Sequence, residues 1–389
     1  MPWRALRPEW IDSRDRLAAW CARASETRRV AVDTEADSMH SYFHKLCLVQ
    51  LAAGESHALV DPLALGREGM TPLVALLGDA SVTKVMHGAD YDLRVLDRDL
   101  GARVVGVRDT QIAAQLLGER QTSLAALVEK ELGVTLDKRF QTADWGQRPL
   151  PPELLAYASG DTAFLQALAE KLAARLGELG RLAWWEEECE ALRAIRWEQP
   201  EPDPRAFERL KGAKALRGAA RDRLAALHAW REATAAALDV PPFKVLGREP
   251  ILAMSSDPPA DQDALAKVAG IGRSVPRRYG TELLALLASP PAAPEREPRV
   301  KFVPDKVREE RIRQLRTRRD EVAAALGLDP GVLAPKWVLE AVADRRPSGV
   351  AEIERCLERR WRAGTLAQPL LGVVAGWDAV SEAGDAGAA

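Results

Sequence analysis

Cysteine is scarce: Cys21, Cys47, Cys189 and Cys356 are the only four in 389 residues. They are too scattered for a zinc site or a disulfide framework, both of which need close pairs, and they read as buried thiols. No apolar run approaches the length of a membrane span, and Met1 to Trp10 lacks the apolar stretch and cleavage pattern of a secretory signal. The expected location is therefore the cytoplasm, with no membrane partner. Excess charge of one sign is also absent. The 55 basic and 57 acidic residues leave a formal net charge of -2, which advertises no polyanionic partner, although an acidic site and basic faces can offset each other in such a sum. Arginine concentrates in 273–278 and 308–318, which suits phosphate contact or equally a solvated helix face.

What is present is the composition of a globular chain, 47% apolar and 29% charged, long enough for two or three compact units at roughly one to two hundred residues each. Arg29 to Glu35, Lys45 to Ala52 and His57 to Asp61 read as three strands that open a sheet in antiparallel fashion. Helical stretches and short apolar runs then alternate: 70–77 helical, 82–87 strand-like, 90–99 helical, 103–107 strand-like. That is mixed α/β architecture. Beyond Asp109 the pattern is helical through 111–117, 124–132, 152–176 and 184–196. Two proline-rich stretches, 198–205 and 289–299, punctuate the rest. The helical blocks they separate resemble each other, each carrying a long helix that runs into a turn, at Asp239-Val-Pro-Pro and at Gly327-Leu-Asp-Pro.

Three short motifs carry chemistry. In Val32-Asp33-Thr34-Glu35 the strand period of two puts both carboxylates on one face, where they can hold a divalent cation. Taken alone, such a pair also describes a solvated strand end. His87-Gly-Ala-Asp90-Tyr-Asp92 breaks a strand at a glycine and opens a helix with an acidic first turn, which also suits the helix dipole. Tyr157-Ala-Ser-Gly-Asp161 stacks a phenol and a carboxylate on one helix face, although a tyrosine there can simply cap a core edge. Together, and in this order, they acquire a joint meaning. Phosphodiester hydrolysis by two cations roughly 3.5 to 4 Å apart needs hard oxygen ligands and a group that orients water.

These motifs resemble those of the tyrosine-type DEDD exonuclease superfamily, and within it the ribonuclease D family. The flanking Tyr42-Phe43, Leu46-Cys-Leu-Val-Gln-Leu, His87-Gly88, Asp109-Thr110, Leu136-Asp-Lys138, Asp144-Trp145 and Arg148-Pro149-Leu150 strengthen the likeness over residues 28–180. The resemblance implies a ribonuclease H-like mixed sheet flanked by helices. It also implies two divalent ions, Mg²⁺ or Mn²⁺, held by Asp33, Glu35, Asp92 and Asp161. Asp33 would bridge both ions, Glu35 and Asp161 would complete the site of the ion that binds the nucleophile, and Asp92 would serve the other, partly through water. Tyr157, with Glu35, would orient the attacking water. His87, Lys138 and Arg148 are candidate substrate contacts, with packing behind the site for His87 or a solvated loop for the other two as the competing readings.

The segment 227–287, with Trp230-Arg231, Gly270-Ile-Gly272 and Tyr279-Gly280, resembles the HRDC domain, a helical nucleic-acid-binding module. A more divergent second copy follows, with Lys336-Trp337. The expected division is an exonuclease domain over 1–197, HRDC over 205–288, a linker over 289–304, a second HRDC-like domain over 305–378 and a disordered tail over 379–389. The function this implies is 3′→5′ exoribonuclease activity on RNA with a single-stranded 3′ end, tRNA precursors above all, with no obligate protein partner evident. A DNA-directed exonuclease and a non-catalytic RNA-binding scaffold of the same fold are the alternatives.

Overall fold

The structure, a computed structural model, describes residues 7–137, 139–140, 142–296 and 305–385, with side chains as far as Trp377. A six-stranded mixed sheet organises the first half, in the order β1 (Glu9–Ile11), β4 (Ser56–Val60), β3 (Leu46–Ala53), β2 (Arg29–Ala36), β5 (Thr83–Met86), β6 (Val107–Asp109). The hairpin strands β2, β3 and β4 are antiparallel, as the sequence pattern predicts, and β5 and β6 continue parallel to β2. The short β1 runs parallel to β4. It and the helix α1 (Arg14–Glu26) were not anticipated.

Alternation along β2 sets the two layers. Val30 and Val32 turn toward α1, α2 (Pro62–Gly69), α3 (Thr71–Gly78) and α4 (Asp90–Leu100), joining a core with Leu17, Trp20, Leu73 and Leu96. Ala31 turns the other way, into a core with α5 (Thr110–Leu116), α6 (Leu124–Leu132), α8 (Leu165–Glu178) and α9 (Leu182–Ala191). Asp33 and Glu35 continue the Ala31 face. The helical run expected over 152–176 is two helices, α7 (Pro152–Ala163) and α8, broken at Phe164. That break lets α7 pack its own small core, with Leu154, Tyr157 and Ala158 against Cys47, Leu48, Leu59 and Trp145.

Two helical blocks follow. The first comprises α10 (Gly218–Leu238), α11 (Pro242–Val245), α12 (Arg248–Ser256), α13 (Gln262–Ala266) and α14 (Ser274–Ala288). The second comprises α15 (Lys306–Leu326), α16 (Pro330–Leu333), α17 (Lys336–Arg345), α18 (Val350–Leu357) and α19 (Arg360–Asp385). Each opens with a 21-residue helix ended by a left-handed residue, Asp239 or Gly327, followed by a four-residue helix that starts on proline. Proline suits that first position because its missing N–H would be unpaired anyway. Helix α19 continues to Asp385, into the stretch read as a tail. Its alanines and glutamate are good helix formers. Residues 386–389 lie outside the described residues.

Candidate active site

Asp33 and Glu35 project from β2 toward Asp161, one turn along α7 from Tyr157. Oxygens of the three carboxylates lie within 4.8 Å of one another. A register shift falls between Glu35 and Ala36, the kind of bulge that re-aims a side chain at a strand end. The carboxylates open into a cleft of about 520 Å³ that His87, Ser123, Leu124, Leu136, Asp137 and Tyr157 also line. Gln50 stands opposite Asp33 on β3 and offers its amide N–H to Glu35 Oε1 at 3.5 Å.

Asp92 reaches the same strand from the other layer. It lies on the first turn of α4, buried, and accepts a hydrogen bond from the Thr34 hydroxyl, whose side chain leaves β2 on the face opposite Asp33. Asp90, two residues earlier, is exposed and paired with Arg94 Nε at 2.8 Å. Asp92 is thus the inward carboxylate of the motif, and it stands beside the cluster of three rather than within it.

The turn that delivers both His87 and α4 is pinned by one residue. The Asp109 carboxylate accepts from the N–H groups of Gly88 (3.0 Å), Ala89 (2.8 Å), Gln111 (2.7 Å) and Ile112 (3.2 Å). It caps α5 and ties the end of β5 to it in the same act, satisfying helix-end donors that would otherwise be unpaired. Gly88 adopts φ +68°, and a Cβ there would stand 3.1 Å from the Gln111 side-chain oxygen, so only glycine turns here without strain.

Electrostatics follow from that convergence. Loss of hydration, then the Asp161 carboxylate, raises Asp33 to about 8. Loss of hydration followed by Asp33, Asp161 and Asp92 raises Glu35 to about 10, and burial raises Asp161 to about 7. Asp92 rises by burial and then by Asp33, with the Thr34 hydroxyl opposing. Burial, then Asp161 and Glu35, also pushes the Tyr157 phenol upward, so it stays protonated at neutral pH. A set of hard oxygen donors that repel one another this strongly is relieved by a divalent cation, and the donor set fits Mg²⁺ or Mn²⁺.

Tyr157 packs edge-on to Phe140 and tilted against Trp145, at ring-centroid distances of 5.8 and 6.1 Å, which fixes the direction of its hydroxyl. Of the remaining candidates, His87 lines the cleft and Lys138 lies outside the described residues. Arg148 is engaged elsewhere. It grips Asp61 through Nε and Nη2, both at 2.7 Å, and donates to the carbonyls of Cys47, Trp145 and Gln147. With Asp61 also capping α2, this ion pair fastens the 137–150 loop to the sheet. Thr34, Gln50 and the pinning role of Asp109 were missed. All three lie inside family signatures, Asp109-Thr110, Leu46-Cys-Leu-Val-Gln-Leu and Asp33-Thr34-Glu35, but nothing local marked what their side chains do.

A family profile described as 3′-5′ exonuclease matches residues 8–177, and one described as HRDC domain matches 220–287. The chain is 35% identical over 295 residues to ribonuclease D of Acidiphilium cryptum, covering 75% of this chain and 74% of that protein. It is 32% identical over 358 residues to ribonuclease D of Xanthomonas oryzae pv. oryzae, covering 90% and 96%. Among solved structures, Escherichia coli RNase D, described as an exoribonuclease involved in structured RNA processing, superposes with a TM-score of 0.65 at 26% identity, covering 95% of this chain and 99% of that one. The catalytic core of RRP6 from Trypanosoma brucei superposes with a TM-score of 0.68 at 28% identity, covering 73% and 79%.

Proposed function

This chain belongs to the ribonuclease D family and is a 3′→5′ exoribonuclease, and from that premise we propose that it trims RNA 3′ ends, those of tRNA precursors in the cytoplasm, by two-metal-ion hydrolysis. The observation that carries the mechanism is the meeting of Asp33, Glu35 and Asp161 within 4.8 Å, on a cleft that Tyr157 also lines.

Asp33, one of the three converging carboxylates, would serve both ions in this scheme. Glu35 and Asp161 would hold one ion, and Asp92, held by the Thr34 hydroxyl, would serve the other. Bound divalent cations supply the charge that acidifies the attacking water and neutralises the scissile phosphate. Tyr157 and Glu35 orient the attacking water, the phenol donating or accepting as the water's proton leaves. His87 contacts substrate from the cleft wall. Arg148, with its donors committed to Asp61 and backbone carbonyls, holds the loop rather than the phosphate.

We further propose the domain division 1–197, 205–288 and 305–378, with 289–304 as linker. The last block is a second, divergent HRDC-like module, a reading supported by its matching order of helices. None of the described helices is long and apolar enough to cross a membrane.

The test is incubation of the protein with a 5′-labelled tRNA bearing a short 3′ tail, with Mg²⁺, Mn²⁺ or EDTA, beside Asp33→Asn. Stepwise shortening from the 3′ end is expected with metal. EDTA abolishes it, and Asp33→Asn lowers it at least about a thousandfold, since several kcal/mol of transition-state stabilisation are lost. An untailed or DNA substrate processed equally fast would remove the tRNA assignment while leaving the metal chemistry.

A further inference from the structure

Among the described residues four aromatic side chains are between 48% and 62% exposed: Phe43, Tyr91, Phe243 and Trp337. A single exposed apolar residue is ordinary on a protein surface, but three of these four gather around the loop 37–45, which continues β2 beyond Asp33 and Glu35. Phe43 lies in that loop. Tyr91 directly precedes Asp92 on the first turn of α4. Burial raises its phenol, Arg98 opposes, and the charges of Asp92, Asp37 and Asp99 all reach it, so Tyr91 stands between Asp92 and the loop. Phe243 lies on α11, four residues after Asp239, whose carboxylate accepts from the Phe43 N–H at 3.0 Å.

This corner is held firmly. Asp37 accepts from the Lys45 N–H at 2.8 Å and from the Ser41 hydroxyl. His40 Nε2 lies 3.1 Å from the Thr142 carbonyl, which joins the loop to the 137–150 loop, whose Asp137 lines the cleft. The Phe43 ring stands edge-on to that of Tyr42 at a centroid distance of 5.0 Å, and Tyr42 packs on the core of the middle block. Phe43 is thus fixed in direction yet uncovered. A ring already fixed gives up little freedom when a flat partner settles on it.

The cleft, about 520 Å³, seats only the end of a strand, so the rest of a single-stranded substrate must run out over its rim. Every base has a π-face, and aromatic side chains bind such faces without reading sequence. Lys244, exposed beside Phe243, and the half-exposed Lys45 place cations near for the phosphates. A protein partner would ask for a continuous apolar centre, whereas the half-exposed Lys45–Asp239 ion pair stands at the junction of Phe43 and Phe243. We propose that Phe43, Tyr91 and Phe243 form a stacking platform for the bases of the single-stranded RNA that trails 5′ from the cleft. The proposal rests on the exonuclease reading of the site.

The test uses 5′-labelled single-stranded RNAs about ten nucleotides long, within the span of a single-strand site, intact or with one abasic nucleotide moved stepwise away from the 3′ end. Removal of the first 3′ nucleotide in Mg²⁺ is followed for wild type, Phe43→Ala, Tyr91→Ala, Phe243→Ala and Phe43→Trp. Wild type is expected to lose about tenfold in kcat/KM when the abasic nucleotide falls on a ring, the order of one stacked base. The loss should lie in KM, because contacts away from the reacting phosphate are made equally in the ground and transition states. Each alanine variant handles the intact strand about tenfold less well, and the abasic penalty at the position its ring serves falls to about twofold or less. Phe43→Trp, which keeps a flat ring, keeps the penalty. A role in folding alone would slow intact and abasic strands alike. Wild type indifferent to every abasic position, or penalties that persist unchanged in the alanine variants, overturns the proposal and leaves the corner to a protein partner. Wild type that shortens none of these RNAs defeats the exonuclease reading of the site, which is a separate failure.

Discussion

The two helical blocks share an order of helices and differ in how they are attached. The first keeps its own core, with Phe207, Leu224, Leu227, Ile251, Leu265 and Leu283, and among the described residues Tyr42 is the one hydrophobic side chain of the exonuclease domain that packs against it. The second has no separate core. Leu315, Leu333, Leu339 and Leu370 lie in one continuous cluster with Ala113, Leu168 and Leu172 of the exonuclease domain. Around that shared core stands a polar seam. Glu187, on α9, accepts from the Arg360 and Trp361 N–H groups at 2.6 and 3.1 Å and so caps α19 from another domain. Glu188 holds Arg359, Arg362 and the Trp361 indole, and Trp184 stacks on Trp361 at 4.8 Å. Arg181 spans the seam, donating to the carbonyls of Leu116 and Leu326. The same helical pattern therefore serves as a separately folded module in one place and as an extension of the catalytic core in the other. Attachment is decided by side chains on α9 and α19, not by helix order.

Two unfolding transitions are expected, one for the exonuclease domain with the last block and one for the middle block. The sharpest way to break this picture is Glu188→Ala, which leaves the largely buried Arg362 without its carboxylate. The cost should be about 3 kcal/mol, all in the joint transition, read by calorimetry or urea unfolding. A loss confined to a separate transition of residues 305–385 would show that the shared core does not act as one unit. Paired cavities sharpen the same point at a slightly smaller size. Leu339→Ala should lower the joint transition by about 2–3 kcal/mol, and Leu227→Ala should lower the middle transition by a similar amount, each leaving the other unmoved.

Much of the exonuclease half was legible because its information is local. Asp33 and Glu35 sit on a strand whose period of two places them together, and Tyr157 and Asp161 share a helix face by their spacing of four. The hairpin strands β2, β3 and β4 were marked by apolar runs with turns between. What was not legible depends on partners far away in the chain. Arg148, read as a phosphate contact, finds Asp61 87 residues earlier. Thr34 finds Asp92, 58 residues later. The docking of α19 depends on Glu187 and Glu188, ordinary members of a charged helix until Arg360 and Trp361 are brought beside them. No periodicity records such pairs, and two helical blocks with similar patterns consequently look alike in sequence.

Acidity separates the two units further, with opposite signs. Asp33 and Asp161 are raised to about 8 and about 7 in the folded protein, so without metal the fold binds more protons than the unfolded chain between about pH 4 and 8. The joint transition of the metal-free protein should weaken as pH rises through that window, by about 1.4 kcal/mol per pH unit for each of the two carboxylates, several kcal/mol in all between pH 5 and 8. Added Mg²⁺ or Mn²⁺ should recover the loss, most strongly at the high end. The middle block contains His228, whose pKa is lowered by burial and then by Arg231. A lowered histidine contributes stability above its folded pKa that is lost as pH falls, so this block should gain slightly over the same rise. Parallel slopes, or a metal response in the middle transition, would erase the distinction.

The smallest effect concerns the polar tie of the middle block. Asp239 ends α10 in the left-handed region and accepts from the Tyr42 and Phe43 N–H groups at 3.1 and 3.0 Å, with Lys45 Nζ at 3.5 Å. Those residues lie in the loop that leaves β2 after Ala36, itself anchored by the buried Asp37 through the Lys45 N–H at 2.8 Å. Asp239→Ala removes a half-exposed carboxylate that acts as a cap, which is worth about 1 kcal/mol. Because the tie acts on this loop beside the Tyr42 ring, which packs on the middle block and meets Glu232, the loss should fall on the loop and not on either core. Hydrogen exchange at Tyr42 and Phe43 should rise about fivefold, matching that energy, while both unfolding transitions move by less than about 1 kcal/mol. Asp239→Asn, which keeps an accepting oxygen, should restore most of the protection. A large shift of the joint transition in Asp239→Ala would mean that the middle block, too, is part of the catalytic core, and the contrast between the two attachments would not hold.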